Sequence, residues 1–392
     1  MIAASLPVQR PADARLLVVD ARAAPRAIPR RDFADLLAPG DLVVANDAAT
    51  LPASFAGFHA RTGAPVEARL AAARSLDIVD QPRFVAIVFG AGDFRIRTED
   101  RPLPPSLAVG DLLTLGPLEA NVERLLDHPR LVELRFAASS GDVWTAIARH
   151  GRPIQYAHVP TPLATWDVWT PIAGAPFAFE APSAGFTLDW QSLARLRERG
   201  AGFATITLAA GISSTGDPSL DARLPFDEPY RIPEATAIAI RRAHARGGRV
   251  IAIGTTVVRA LEDCAARHGA VRAGEGVAML RLGRGTTLRA VDAILSGTHE
   301  PGSSHFELLR AFADDATLDR MAAVLESERF RTHEFGDSIF VDPRPEPPAR
   351  PTADDCCRGG CDPCVFDIYE AEIARYEEAL RQWRLRHPAA ES

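Results

Sequence analysis

The pattern of hydrophobic and polar positions divides the chain into three kinds of sequence. Residues 15–20 ("RLLVVD") and 41–47 ("DLVVAND") are short apolar runs on either side of the helical "RDFADLLAPG" (31–40), a strand–helix–strand pattern. From about residue 51 to 147 the pattern is different. The strand-like runs "RFVAIVFG", "FRIRT", "DLLTLG" and "RLVELRF" are separated by Gly, Pro and Asp turns, and "ANVERLLDH" (120–128) is the longest helical stretch among them. Short strands at that spacing predict a small barrel or sandwich. Alternation then resumes. "TLDWQSLARLRERG" predicts an amphipathic helix capped by Thr187 and stopped by Gly200, "FATITLAAG" a strand, and "PEATAIAIRRAHARGG" a helix with Pro233 in its first turn. "LRAVDAIL" reads as a further strand, and residues 303–330 as helical.

Residues 249–262, "RVIAIGTTVVRALE", raise the sharpest local question. The continuous apolar run 250–253 predicts a strand covered on both faces. It stops at Gly254, where Thr255 or Thr256 is placed to cap a helix carrying Val257, Val258, Leu261 and Cys264, with Gly269 as its stop. Such a turn directs backbone N–H groups out of the carboxyl edge of a sheet, where α/β proteins bind ligands. By itself it is more often only a capped helix.

The predicted fold is an α/β main domain (residues 1–52 and 148–342) with an inserted, small, all-β barrel-like domain (53–147). A proline-rich linker (343–353) and a short cysteine-rich helical tail (354–392) follow. The linker has five prolines between positions 343 and 351, the composition of a semi-rigid extended spacer.

Composition narrows the chemistry. At 392 residues, with 47% hydrophobic and 24% charged residues, the chain has the make-up of a soluble globular protein. No basic segment followed by an apolar core opens it, and no apolar run is long enough to span a bilayer, so the expected location is the cytoplasm. All 44 basic residues are arginine. The absence of lysine excludes a lysine Schiff base, a lysine nucleophile and a Walker-type phosphate lysine. A net charge of −7 argues against nonspecific coating of nucleic acid, though a local patch on "RAIPRR", "RRAHARGGR" or "RLGRGTTLR" stays open.

Four stretches, "PGDLVVANDAATLPASF" (39–55), "APSAGFTLD" (181–189), "GGRVIAIGTTVVRALE" (247–262) and "VDAILSGTHEPGSSHFELLRAF" (291–312), occur in this order with "RFRTHEFGDSIF" (329–340) closing the set. Together they resemble the S-adenosylmethionine:tRNA ribosyltransferase-isomerases of queuosine biosynthesis. The resemblance implies S-adenosylmethionine as a ribosyl donor and the aminomethyl group of a deazaguanine in the tRNA anticodon loop as acceptor. The ribosyl group rearranges to an epoxy-cyclopentane as adenine and methionine leave, with no metal. Such chemistry needs a base beside the sugar carbon next to sulfur and support for the departing adenine. Glu228 in "PFDEPY" matches a family glutamate and is the candidate base, and His299 in "GTHEP" the candidate acid or orienting group. Gly254, Thr255, Thr256 and Arg259 would contact the donor. Asn46, Asp47, Ser183, Ala184, Gly185, Ser303, Gly336 and Asp337 would line the same crevice. A monomer is expected.

The chain departs from the family pattern at Ala48, Ala49 and Ser54, where threonine and arginines are usual, at Ala209, and at Pro225–Phe226 and 186–188, where histidines are usual. Lost arginines and histidines are groups that grip phosphates, carboxylates and bases. A paralogue with another acceptor, or a non-catalytic module that binds nucleoside or RNA, is therefore the alternative. The tail, "DDCCRGGCDPCVFDIYEAEIARYEEAL", resembles the domain known as oxidoreductase-like. Cys361 and Cys364 have a C-x₂-C spacing, and with Cys356 and Cys357 they are the candidate ligands of zinc or another soft metal.

Overall fold

A computed structural model describes residues 1–20, 24–77, 83–137, 139–343, 348, 350–352, 355–356, 359–361 and 363–386. It has an α/β main body, a closed six-stranded barrel and a C-terminal helix, Val365–Arg386. The main sheet has nine strands. Its order is Gly274–Ala278, Glu228–Ile232, Gly202–Leu208, Leu42–Asn46, Val250–Ile253, Ala293–Gly297, Ser338–Asp342, Arg15–Asp20 and Arg26–Pro29.

The inner strands show why continuous apolar runs become buried strands. Val43, Ala45, Ile251 and Ile253 pack on one face with Leu188 and Leu196. Leu42, Val44, Val250 and Ala252 pack on the other with Val257, Val258 and Leu261. Successive side chains of a strand point to opposite faces, so a strand covered on both has no polar positions to spare. Each such leucine or valine contributes about 1.5–3 kcal/mol by its burial.

Four of these strands run parallel, Gly202–Leu208 with Leu42–Asn46, and both Leu42–Asn46 and Ala293–Gly297 with Val250–Ile253. Their carboxyl ends lie along one edge of the sheet. Ser338–Asp342 runs antiparallel to Ala293–Gly297, and Glu228–Ile232 antiparallel to Gly202–Leu208. Both therefore bring their amino ends to that same edge. Residues 46, 208, 228, 254, 298 and 337 converge there from distant parts of the chain.

Four local expectations are corrected. "ANVERLLDH" is not a helix: Leu118–Leu125 is a barrel strand, paired with Leu112–Leu115 and Leu131–Phe136. Leu118, Ala120 and Val122 are buried while Glu119 is exposed, so the period of two prevails over helix propensity. The helix Trp190–Glu198 is capped by Asp189, whose carboxylate accepts from Ser192 N at 2.6 Å, and not by Thr187. The helix Thr255–His268 starts at Gly254, and neither threonine caps it; its predicted end at Gly269, with φ 77°, is borne out. The strand expected at 288–295 lies further along, at Ala293–Gly297.

Candidate active site

At the carboxyl edge of the sheet lies a cavity of about 260 Å³. Asp221, Glu228, Thr255, Thr256, Arg259, Arg281, Ser304, His305 and Glu307 contribute its polar lining. Gly254 has φ 91° and ψ 155°, a conformation open essentially to glycine alone, and turns the buried strand directly into the helix. The helix has no side-chain cap. Its first turn, at Thr255 and Thr256, lines the cavity, no side chain among the described residues caps its N–H groups, and the helix dipole favours negative charge there.

Glu228 and Arg259 form a buried ion pair in the same wall. The other Glu228 oxygen accepts from Gly211 N at 2.8 Å. Burial pushes the Glu228 carboxyl above the ordinary glutamate range, against the opposing pull of Arg259 and the Gly211 N–H. The Arg259 guanidinium also donates to the carbonyls of Ala278 at 2.8 Å and of Phe226 and Leu280 at 3.2 Å. With its donors so engaged, Arg259 braces Glu228 and shapes the cavity. The expected contact with the donor would be made from this braced position in the cavity wall.

A second polar group lies beside the first. The imidazoles of His299 and His305 stack at 4.4 Å, and those of His158 and His333 at 4.2 Å. His158 Nε2 is 3.0 Å from Glu334. Tyr156 donates its hydroxyl to Glu180, whose other oxygen accepts from Ser213 N at 3.0 Å. Tyr156, His158, Glu180 and Glu334 surround a small cleft. Burial raises the Glu180 carboxyl to about 7 despite hydrogen bonds from Ser213 and Tyr156. Burial, with a smaller push from Arg259, lowers His305 to about 4. Burial and the neighbouring His305 and His333 hold His299 well below its ordinary value, so both imidazoles of this pair are neutral near pH 7.

The remaining expected residues are placed differently. Ser303 caps the short helix Ser304–Leu308, which carries His305, and accepts from Phe306 N at 3.3 Å. Asn46 exchanges hydrogen bonds with both backbone groups of Leu208, at 2.9 Å each. Asp47 accepts from Thr205 and Thr207, at 2.7 Å each. These two clamp neighbouring strand ends and are not in the cavity wall. Ser183, Ala184 and Gly185 lie in a tight turn whose Ala184 packs near Gly254. Asp337 is consumed by Arg15 and Arg331, and a Cβ at Gly336 would meet the Arg331 carbonyl at 2.4 Å. Both act as a brace.

A family model described as "Queuosine biosynthesis protein" matches residues 1–341. The chain belongs to that family. It is 35% identical over 368 residues to an S-adenosylmethionine:tRNA ribosyltransferase-isomerase of Sorangium cellulosum, covering 86% of this chain and 94% of that protein. The counterpart in Gloeobacter violaceus is 33% identical over 345 residues, covering 86% and 92%. A solved S-adenosylmethionine tRNA ribosyltransferase from Thermotoga maritima is 22% identical with a TM-score of 0.46, covering 87% of this chain and 96% of that one. A second model, "Oxidoreductase-like protein, N-terminal", matches residues 338–385.

Sequence reasoning named Thr255, Thr256, Arg259 and Glu228, which line this cavity, and His299, which stacks on His305 of its wall. It missed Tyr156, His158, Glu180, His305, His333 and Glu334. His305, His333 and Glu334 stood inside motifs already singled out, and their polarity within those motifs was the available signal. Tyr156, His158 and Glu180 carry none.

One arginine cluster faces elsewhere. Arg249 is buried and paired with Asp41 and Asp342 at the amino edge of the sheet, opposite the cavity. Arg30 lies instead at the cavity edge of the sheet, buried and donating to the Gly336 carbonyl at 3.0 Å. On the tail, Cys356 and Cys364 are free thiols, Cys361 is disulfide-bonded, and Cys357 lies outside the described residues. Among the described residues no group of three or more His, Cys, Asp or Glu side chains is arranged to hold a metal ion. No helix among them is long and apolar enough to cross a membrane.

Proposed function

We propose that this chain transfers the ribosyl group of S-adenosylmethionine to a 7-deazaguanine in the tRNA anticodon loop and isomerises it, releasing adenine and methionine. The product is the epoxyqueuosine nucleoside. The observation that carries this reading is the uncapped amino end of Thr255–His268 and the Glu228–Arg259 pair lining one cavity together. The free N–H groups suit the methionine carboxylate. The Glu228 carboxylate, held in place by Arg259 and Gly211, is positioned as the base for the carbon next to sulfur. Neutral His299 and His305 orient substrate hydroxyls, and a protonated Glu180 supplies acid toward the departing adenine. Asn46, Asp47, Ser183, Ala184, Gly185, Ser303, Gly336 and Asp337 hold the frame on which these groups stand. The reaction proposed takes no metal, and the protein works as a cytoplasmic monomer.

Purified protein incubated with S-adenosylmethionine and tRNA bearing the aminomethyl deazaguanine should release adenine and methionine together. No release with that tRNA, from folded protein, removes the proposal. A second reading is favoured by Ala48, Ala49 and Ala209, buried apolar residues where the resemblance expects polar ones. Under it the acceptor differs, and adenine is released with another acceptor only. The tail we assign a soft metal such as zinc on Cys356, Cys357, Cys361 and Cys364 after reduction. Metal analysis of anaerobically reduced protein tests it, and a metal-free tail ends it.

A further inference from the structure

Three of the described tryptophans are exposed to an unusual degree: Trp166 at 75%, Trp169 at 43% and Trp190 at 81%. Tryptophan is a highly buried residue on average, and three on one surface mark a place of contact. Trp166 and Trp169 are held together by one side chain. The Gln9 amide donates to the carbonyls of Trp166 at 3.2 Å, Asp167 at 2.9 Å and Trp169 at 2.8 Å. The exposed side chains of Leu6 and Val8 precede it in the chain. Arg10 extends the same surface to Asp189, the residue before Trp190. The Asp189 carboxyl is lowered, against its own burial, by Ser192 and by this nearby guanidinium.

This surface is continuous with the candidate site. The Trp169 indole donates to Thr50 O at 2.9 Å, and the Thr50 hydroxyl to Val168 O at 2.9 Å. Thr50 and Val168 in turn line the cleft of Tyr156, His158 and Glu180. Thr170 packs on Gly185 in the turn that leads to the Trp190 helix. The patch is thus a lip of the crevice.

We propose that Trp166, Trp169 and Trp190, with Arg10, form a stacking platform for unpaired bases of the acceptor RNA loop, holding the loop while one base enters the crevice. The proposal rests on the function proposed above and names the surface that receives the acceptor. Indole faces accept any base, and an adjacent arginine supplies the phosphate contact, which is the usual make-up of a single-strand binding surface. A duplex offers no free base faces, so the platform selects a loop. The arginine cluster ending at Arg249 lies at the opposite edge of the sheet and cannot serve an RNA engaged in this crevice.

The test uses the full chain, a synthetic RNA hairpin carrying the anticodon loop, and a blunt duplex of the same stem. Hairpin binding should quench tryptophan emission and weaken as salt rises. Trp166→Ala and Trp190→Ala should each weaken hairpin binding about tenfold, a loss of ~1.4 kcal/mol in the range for one stacked base. Duplex binding should be unchanged. Trp190→Phe, which keeps an aromatic face, should recover most of the affinity and excludes misfolding as the cause. In turnover, KM for tRNA should rise while kcat at saturating tRNA holds. Equal hairpin affinity in all variants overturns the platform, whereas the function proposed above fails only if adenine release from S-adenosylmethionine is absent. Self-association of the wild-type chain that disappears in Trp190→Ala, with hairpin binding retained, also overturns it and makes the patch a protein interface.

Discussion

The imidazoles of His299 and His305 lie face to face, 4.4 Å between centroids and 13° from parallel. A second charge cannot be accommodated there, and both rings are pressed toward the neutral form. In the unfolded chain each takes up a proton near its ordinary value of about 6.5. The folded His305 does so only near 4. The stability this pair contributes is full above about 6.5 and is lost as pH falls toward 4. His305→Asn should flatten that part of a stability–pH curve measured by urea unfolding. An unchanged acid limb would show that other groups control it.

Glu180 titrates in the opposite sense. Its carboxyl, raised to about 7 by burial, is still protonated where an ordinary glutamate is ionised. Its contribution to stability is therefore present at low pH and lost as pH rises through about 7. If it supplies the proton for adenine, the rate of adenine release falls over the same interval. Glu180→Gln should be slower and should lack that descending limb. A mutant profile parallel to the wild type removes Glu180 from the acid role.

Arg259→Ala leaves the Glu228 carboxylate buried without its partner. Breaking a buried pair in this way costs about 3–5 kcal/mol. The double variant Arg259→Met, Glu228→Gln removes both charges and should regain a large part of that loss while staying inactive. Chemical denaturation of the three proteins checks the ordering. Donor affinity in Arg259→Ala is informative only at temperatures where the fold is intact.

Gly254→Ala places a Cβ 3.4 Å from Ala184 and forces alanine to φ 91°. The strain is worth about 1–3 kcal/mol. The turn relieves it by moving the amino end of Thr255–His268, so KM for S-adenosylmethionine should rise more than kcat falls. A loss confined to melting temperature would detach this turn from the donor.

Much of the architecture was legible from residue pattern. The doubly covered strand Val250–Ile253, its glycine and its helix follow from apolar continuity followed by a 3.6-residue period. The barrel showed in the spacing of its turns. The short strands Glu228–Ile232 and Gly274–Ala278 did not, because two glycines, a proline and mixed polarity carry no period. The site was half legible. Residues within one motif, such as Thr255 and Arg259, announce themselves. Glu180, Tyr156 and His158 meet His333 and Glu334 only because the topology brings several strand ends to one edge.

The pairing of Arg15–Asp20 with Ser338–Asp342 has a consequence for synthesis. Leu17 sits opposite Ile339, some 320 residues later. At ~5–20 residues per second, the early strand leaves the ribosome roughly a quarter of a minute to a minute before its partner is made. Arg26–Pro29 covers one of its edges during that time. The other edge, flanked by Leu16, Leu17, Val18 and Val19, stays open to any strand it meets. The newborn chain therefore depends on being kept apart from its neighbours until its last strand arrives.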